Sequence, residues 1–352
     1  MKKNAVVLFN LGGPDSPKAV KPFLFNLFND PFIVHMPQPF RSMLARIIST
    51  LRNKKAQAIY QYMGGKSPIL EQTMLQAEAL EKKLKEKASA SEEYKVFVSM
   101  RHWHPMSNVV VKKVKAYDPD HVILLPLYPH FSTTTTGSAF YDWGVSAKAN
   151  DLTAPTSKIC CYPVDRGFVV SQVKLIKDMY WKAADLGKPR VLFSAHGLPE
   201  KIVRAGDPYQ WQIEKSVAAI VNVLAIDELD WRICYQSRVG YLKWIGPSTE
   251  EEILQAGNDK IPLLVVPIAF VSEHSETLVE LDIQYSTLAK AKGVPSYWRV
   301  PTLMVDEFFI ETLSDLCINH DKNASVSSFS KEWVCSQKFS QCPCIAENKD
   351  QS

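Results

Sequence analysis

The sequence lacks the long apolar runs that membrane-spanning helices need. No stretch of about 18 consecutive apolar residues occurs in its 352 residues, which excludes a helix that crosses a bilayer. Residues 1–4 lead directly into an apolar run, which leaves no room for a signal or transit peptide. We therefore expect the protein to stay in the compartment where it is made.

Excess charge and a regular cysteine pattern are also missing. The formal net charge of +4 is too small to indicate a nucleic-acid-binding protein. The seven cysteines are mostly without regular spacing, unlike those of a secreted disulfide framework. The 46% hydrophobic content is ordinary for a globular protein, and 352 residues exceed what one core usually serves. We expect two domains.

Apolar, β-prone runs alternate with helical patterns, which predicts parallel sheets with right-handed crossovers. The predicted strands are residues 5–11, 94–100, 121–127, 191–195, 231–235, 261–270 and 297–300, and a further strand is predicted at Cys160 and Cys161. The pattern occurs twice, and NLGGP after the first strand matches SAHGLP after the fourth. The sequence therefore predicts an α/β fold of two similar Rossmann-like, doubly wound domains, each with a parallel four-stranded sheet, and a cleft between them.

Residues 272–283 contain neither Lys nor Arg, although three glutamates fall on one predicted helical face. Glu273, Glu276 and Glu280 repel one another at three- and four-residue spacing, and a nearby cation usually relieves such repulsion. This strip favours bound cations, and His274 adds an imidazole ligand. The alternative is a solvated acidic helix face.

His196 follows the predicted strand 191–195 and lies between two small residues, Ala195 and Gly197. Ligands of doubly wound sheets bind outside the carboxyl ends of the strands, so the topology brings His196 and Glu276 towards one site. A neutral histidine beside a carboxylate is a proton acceptor, and both groups are ligands of divalent transition metals. The alternative is a structural histidine.

Residues 40–52 have a clean amphipathic pattern whose only charged residues are three arginines. Two interpretations stay open: a helix packed on the core, or a helix that lies in a membrane surface. A separate short helix is predicted at 54–63. The GGKS at 64–67 lacks the first glycine of a phosphate-binding loop and follows a helix, so no nucleotide site is predicted.

Taken together, the motifs resemble those of the ferrochelatase family, the terminal enzymes of haem synthesis, over about residues 6–313. The matching stretches are LFNLGGP, YQYMGGKSPI, SMRHWHP, LPLYPHFSTTTTGS, LFSAHGLP, GDPY, YQSRVG and PIAFVSEHSETLVELDIQY. The resemblance implies a chelatase-like fold and a lyase that inserts Fe²⁺ into protoporphyrin IX, giving protohaem and two protons. Fe²⁺ is a substrate, so this chemistry requires no cofactor.

The resemblance also implies roles for individual residues. His196 matches the family's active-site histidine, a metal ligand and proton acceptor, and Glu276 matches its acidic partner across the cleft. Glu273, His274 and Glu280 match a polar strip along which the metal would pass. The expected porphyrin contacts are Leu11, Arg52, Tyr60, Ser67, Arg101 and Trp244.

Two positions depart from the pattern of some family members. Leu11 lies where the coproporphyrin-using members have a tyrosine. A leucine cannot ligate the product iron, which favours protoporphyrin IX as the substrate. Gln284 lies one turn beyond Glu280, where the family's strip is more acidic, so the metal route stays open.

Location and domain limits are also expectations from the resemblance. It implies a cytoplasmic bacterial enzyme, bound peripherally to the inner membrane, with protoporphyrinogen oxidase as a candidate partner. We place the first domain at 1–160, with a membrane and porphyrin lip at about 28–52, and the second at 161–302. A C-terminal helix at 303–320 would pack back on the body. The oligomeric state stays open.

The C-terminal tail, residues 321–352, raises a separate question. Some family members hold a [2Fe–2S] cluster on C-terminal cysteines and one upstream cysteine, and Cys335, Cys342 and Cys344 resemble that tail. Four thiolates are normally needed. The upstream cysteine of the animal-type members falls at Thr133 here, and Cys317 is nearest to the tail in sequence. The candidates for the fourth ligand are Cys160, Cys161, Cys234 and Cys317. The alternative is a disordered tail with free thiols.

Two other functions fit the same architecture. One is a chelatase for cobalt or for another tetrapyrrole. The other is a haem- or metal-binding carrier, which needs tight binding but no proton acceptor. Repeated turnover of Zn²⁺ and a porphyrin distinguishes an enzyme from a carrier.

Overall fold

The computed structural model describes residues 1–320, 324–330, 333 and 335–345. The strands are β1 (Lys2–Asn10), β2 (Glu92–Met100), β3 (His121–Pro126), β4 (Thr156–Ile159), β5 (Arg190–His196), β6 (Trp231–Gln236), β7 (Leu263–Pro267), β8 (Tyr297–Arg299) and β9 (Val326–Ser327). The α-helices are α1 (Val20–Phe28), α2 (Phe40–Gln61), α3 (Ile69–Lys87), α4 (Ser107–Tyr117), α5 (Ser138–Ala149), α6 (Arg166–Ala183), α7 (Glu200–Arg204), α8 (Tyr209–Leu224), α9 (Thr249–Asp259), α10 (Ser286–Ala291) and α11 (Glu307–Asn319). These described residues also form two π-helices, Thr133–Gly137 and Glu276–Tyr285, and short 3₁₀ turns at Pro17–Ala19 and Ala184–Leu186.

The strands form two parallel sheets with the same internal order. The first sheet has the order β2-β1-β3-β4-β9 and the second the order β6-β5-β7-β8. In both sheets the strand order reverses at the first strand of the half, β1 or β5, and such reversals are where doubly wound folds bind ligands. The predicted α/β, doubly wound fold is confirmed.

Helices cover both faces of the sheets, so the central strands are buried along nearly their whole length. One hydrophobic cluster extends from Leu8 of β1, through Phe168 of α6 and Phe309 of α11, to Phe193 of β5. Helix α11 packs on both α3 and α6. The two sheets therefore share a continuous core on one side. The domain limits at residues 160 and 302 stay predictions.

Two local expectations were wrong. The first sheet has five strands rather than four, because β9 from the C-terminal tail pairs with the edge of β4: Lys158 pairs with Val326 and Ile159 with Ser327. The helices expected at 40–52 and 54–63 are one helix, α2, since Asn53 does not interrupt it. Within the described residues, no helix has the length and apolarity to cross a bilayer.

Candidate active site

The structure brings His196 and Glu276 into contact. His196 is the last residue of β5, and its Cα pairs with that of Gln236 at the end of β6. Glu276 is the first residue of the second π-helix, which follows β7 on the other side of β5. Nδ1 of His196 lies 2.8 Å from Oε2 of Glu276. The His196 side chain is 41% exposed, so the pair is accessible to a substrate.

Ser237, the residue after β6, joins the two carboxylates of the second π-helix. Its hydroxyl lies 3.1 Å from Oε2 of Glu276 and 2.5 Å from Oε2 of Glu280, and its backbone N–H donates to Oε1 of Glu280 at 2.9 Å. One hydroxyl proton cannot serve both carboxylates at once. Tyr285 donates a further hydrogen bond to Glu280 at 3.1 Å. Glu276 and Glu280 therefore form one linked acidic pair beside His196.

The charges of these groups are set mainly by burial and by each other. Burial opposes a charge on His196, but the Glu276 carboxylate outweighs it, and the pKa of His196 is raised. Burial also opposes a charge on Glu276, yet the charge and hydrogen bond of His196 lower the pKa of Glu276 to about 2. Burial and then the charge of Glu276 raise the pKa of Glu280. Glu276 is thus firmly ionised, Glu280 protonates more readily, and His196 is a stronger base than a free imidazole.

Glu273 is already neutralised by a cation that the sequence pattern did not reveal. Its Oε1 accepts hydrogen bonds from Nη1 of Arg299 at 2.9 Å and from the Thr302 N–H at 3.0 Å. Burial opposes the Glu273 charge, but Arg299 prevails and the pKa of Glu273 is lowered. The expectation of an unrelieved acidic strip was therefore wrong, since β8 supplies the arginine. A metal path through Glu273 stays a prediction.

His274 lies in sequence between Glu273 and the pair Glu276 and Glu280. Its Nδ1 accepts a hydrogen bond from the backbone N–H of Glu276 at 3.0 Å, and its ring packs edge-on against Phe270 at 4.6 Å between centroids. Burial lowers the pKa of His274. This histidine is therefore held as a neutral imidazole whose Nδ1 is occupied.

Comparisons with known proteins show the family to which this chain belongs. A sequence profile of the ferrochelatase family matches residues 3–321. The chain belongs to the ferrochelatase family. The ferrochelatase of Wolbachia sp. subsp. Drosophila simulans (strain wRi) is 54% identical over 317 residues, which cover 90% of this chain and 99% of the relative. The ferrochelatase of Pelagibacter ubique (strain HTCC1062) is 48% identical over 344 residues, covering 97% and 99%.

A solved structure supports the fold alone. The chain resembles SirB from Bacillus subtilis with Fe³⁺ with a TM-score of 0.51 at 14% identity, over 90% of this chain and 94% of that one. The predicted assignment as a ferrochelatase, a porphyrin metal chelatase of haem synthesis, is confirmed by the family match.

Three of the residues expected to contact porphyrin in this ferrochelatase lie near the end of β1 or on α2. Leu11 directly follows β1 and is partly exposed. Ser67 is buried against Gly13, where a Cβ would lie only 2.5 Å from that of Ser67. Arg52 on α2 is exposed, and its guanidinium lies 5.7 Å from the ring centre of Phe28. Their contact with porphyrin stays a prediction.

Tyr60 lies deeper, beside the acidic strip. It is buried near the end of α2, and its hydroxyl interacts with the side chain of Ser275 and with the charge of Glu276. Burial, chiefly, raises the pKa of Tyr60 to about 12. The resemblance grouped Tyr60 with Arg52 as porphyrin contacts, but the two differ in the structure. Tyr60 is buried beside the acidic strip, whereas Arg52 is exposed and lies against Phe28.

Arg101 and Trp244 have protein partners of their own. Arg101 lies 3.0 Å from the Asp30 carboxylate and donates from Nε to Oγ of Ser138 at 2.7 Å. Trp244 donates from its indole N–H to a backbone carbonyl at 3.2 Å, and a Cβ on Gly197 would lie 3.3 Å from its ring. Glycine after His196 thus allows Trp244 to approach the site.

Five of the seven cysteines gather at the tail. Sγ of Cys160, which follows β4, lies 3.1 Å from Sγ of Cys344 and 3.4 Å from Sγ of Cys161. Cys342 interacts with both Cys160 and Cys335. The other two, Cys234 and Cys317, are buried in separate hydrophobic clusters. Cys160 and Cys161 therefore lie beside the tail cysteines, whereas Cys317, the cysteine nearest to the tail in sequence, does not.

Helix α8 forms the docking surface for the tail. Trp211 packs against the rings of Trp333 and Phe339, each at 5.2 Å between centroids. Gln212 is fully buried and donates from its amide to Sγ of Cys161 at 3.4 Å and of Cys335 at 3.5 Å. These contacts hold the described part of the tail against the second half.

Proposed function

We propose that this ferrochelatase inserts Fe²⁺ into protoporphyrin IX with His196 as the proton acceptor and Glu276 as its ionic partner. The contact of 2.8 Å between Nδ1 of His196 and Oε2 of Glu276, at an accessible strand end, is the observation that carries the proposal. Metal insertion must remove two pyrrole protons. A histidine with a raised pKa accepts a proton well, and an ionised carboxylate stabilises the imidazolium that results.

Glu280 and Ser237 extend this proposal beyond the first proton. Ser237 contacts both Glu276 and Glu280, so a proton can pass between the carboxylates through its hydroxyl, which donates its own proton to one carboxylate, accepts a proton from the other and then rotates back. Glu280, whose pKa is raised, is suited to hold the second proton. Imidazole nitrogens and carboxylate oxygens also suit a divalent transition metal, so His196, Glu276 and Glu280 would also bind the incoming Fe²⁺.

The test is His196→Ala with purified enzyme, a porphyrin and Zn²⁺ or anaerobic Fe²⁺. We expect insertion, followed by porphyrin absorbance, to be abolished, while porphyrin binding and the far-ultraviolet circular dichroism stay close to wild type. Stoichiometric porphyrin binding without turnover in the wild type would instead favour a carrier. Activity of His196→Ala within about threefold of wild type would contradict the assignment, because loss of a general base costs about 10²-fold or more.

We propose peripheral membrane contact through α2. Four large apolar side chains of this helix are exposed: Phe40 at 55%, Met43 at 60%, Ile47 at 50% and Leu51 at 77%. An apolar face beside exposed arginines suits a helix in a membrane surface. Ile47→Glu/Ile48→Glu should abolish flotation with anionic vesicles. Trp181→Glu/Leu186→Glu, which alters exposed apolar residues elsewhere, is the control and should float as wild type does.

We also propose that the gathered cysteines hold a [2Fe–2S] cluster. The residues fit, because five free thiols meet in one largely buried place. Within the described residues, no three metal-binding side chains converge on a single-ion site. A [2Fe–2S] cluster needs four thiolates rather than one such site. The cluster would be held by Cys335, Cys342, Cys344 and Cys160, and it would cross-link the tail to the body of the protein.

The cluster proposal has its own test. Anaerobically purified protein should be red-brown, with about two irons and two acid-labile sulfides per chain. Cys160→Ser and Cys342→Ser should bleach it and lower the melting temperature, whereas Cys317→Ser, away from the tail, should keep the colour. Colourless wild-type protein expressed with ample iron would contradict the proposal.

A further inference from the structure

Arg299 binds two acidic residues, Glu273 and Asp282, that flank Glu276 and Glu280 in sequence. It is the last residue of β8, and its side chain is only 10% exposed. Nε and Nη2 donate to the two carboxylate oxygens of Asp282 at 2.6 and 2.8 Å, and Nη1 donates to Oε1 of Glu273 at 2.9 Å. A planar guanidinium can make all three bonds at once, which a lysine ammonium cannot reproduce.

The two anchors enclose the active carboxylates in sequence. Glu276 and Glu280 lie between Glu273 and Asp282, in the second π-helix. A π-helix has i→i+5 hydrogen bonds and is rare beyond single turns, so ten residues in this form need support from the surrounding structure. Strand β8 gives further support at Tyr297, whose hydroxyl donates to the Leu281 carbonyl at 2.8 Å.

We propose that Arg299 is a positioning residue for metal insertion. By fixing Glu273 and Asp282, it keeps the π-helical frame in which Glu276 reaches His196 and Glu280 reaches Ser237. The guanidinium also keeps the Glu273 carboxylate bound outside the Glu276–Glu280 pair. This inference rests on the proposed function, since it concerns the same carboxylates.

A second arginine in the same sheet offers a matched control. Arg190, at the start of β5, bonds Asp230 at 2.8 Å and Asp259 at 3.1 Å, and its side chain is 7% exposed. His196 lies at the other end of β5, about 20 Å away at the usual rise of a strand. Arg190 therefore matches Arg299 in burial and in bridging two aspartate or glutamate side chains, but not in position.

The experiment compares Arg299→Lys and Arg299→Gln with Arg190→Lys and Arg190→Gln. For each variant we would measure the melting temperature, kcat, and KM for Zn²⁺ and for the porphyrin. Both pairs should melt at lower temperature. Only the Arg299 variants should show a KM for Zn²⁺ raised about tenfold and kcat lowered about 10²-fold, the scale of a 1 Å misplacement, with an unchanged KM for porphyrin. Arg299→Lys should recover part of the stability but little of kcat.

Equal kinetic constants in folded Arg299→Gln and Arg190→Gln would overturn the positioning role. If both Arg299 variants fail to fold, Asp282→Asn replaces them, with Asp259→Asn as its control. Asp282→Asn keeps an acceptor oxygen and should still raise the KM for Zn²⁺, and an unchanged value would also overturn the proposal. A wild-type enzyme without turnover would refute the proposed function itself, whereas an active wild type with unaffected Arg299 variants would refute only the inference about Arg299.

Discussion

The two π-helices occupy the same place in the two halves but carry different chemistry. Each follows the strand next to the first strand of its half, β3 or β7, and each continues directly into an α-helix. Thr133–Gly137 presents threonine hydroxyls, and Thr133 binds the buried Asp207 carboxylate. Glu276–Tyr285 presents carboxylates that meet His196. A repeated backbone therefore supplies two platforms, and their side chains decide which one is reactive.

The largest expected effect comes from removing the charge of the second π-helix. Glu276→Gln keeps the size of the side chain but leaves His196 without its ionic partner. We expect kcat to fall about 10²-fold or more, measured as metalloporphyrin formation. Glu250→Gln, on the exposed first turn of α9, should keep wild-type activity. A Glu276→Gln enzyme with wild-type kcat would show that the two π-helices do not differ in this way.

The same pair predicts a pH dependence. His196 must be neutral to accept a proton, and its pKa is raised, so kcat/KM should increase with pH through a midpoint above 6.5. In Glu276→Gln the larger of the two carboxylate contributions that raise the His196 pKa is gone, so burial lowers this pKa against the charge of Glu280 alone. The midpoint should therefore move to lower pH in the variant. A midpoint that stays in place would separate the pH profile from the His196–Glu276 contact.

The first π-helix should matter for stability rather than for metal. Asp207 accepts hydrogen bonds from Ser132, from Thr133 and from the backbone N–H of Tyr209. Asp207→Ala leaves these buried donors unpaired, which costs about 1–3 kcal/mol for each buried group that stays unpaired. We expect a lower melting temperature and an unchanged KM for Zn²⁺ in the remaining folded enzyme. A selective rise in that KM would give both π-helices a role in metal handling.

Local patterns predicted most of the sheets but not the contacts that complete the site. The strand expected at 191–195 is Arg190–His196, because a buried parallel strand is a continuous apolar run that is visible in sequence. Arg299 was missed because its partners are 17 and 26 residues away. For Ser237 the sequence offered one indication of a functional role, its position just after the carboxyl end of a predicted strand. Composition alone could not show that its hydroxyl would join two glutamates.

The tail shows the limit of sequence proximity. The cysteine nearest to the tail in sequence is Cys317, but it is buried in the main core. Cys160 lies beside the tail because β9 pairs with β4, the strand that ends directly before Cys160. A two-residue strand in a polar segment has no periodicity to detect. The pairing depends on an open sheet edge, which is a property of the folded molecule.

Strand β9 also has a consequence for synthesis on the ribosome. Among the described residues, the edge of β4 pairs with residues 325–327, which follow every other strand of both sheets in the sequence. Until these residues are made, the first sheet has an unpaired edge at β4, and strands of other chains can pair with such an edge. Residues 325–327 close this edge, and residues further along the tail, Trp333, Cys335 and Phe339, pack on α8 of the second half. We therefore expect the first sheet to be completed only after residues 325–327 have been synthesised.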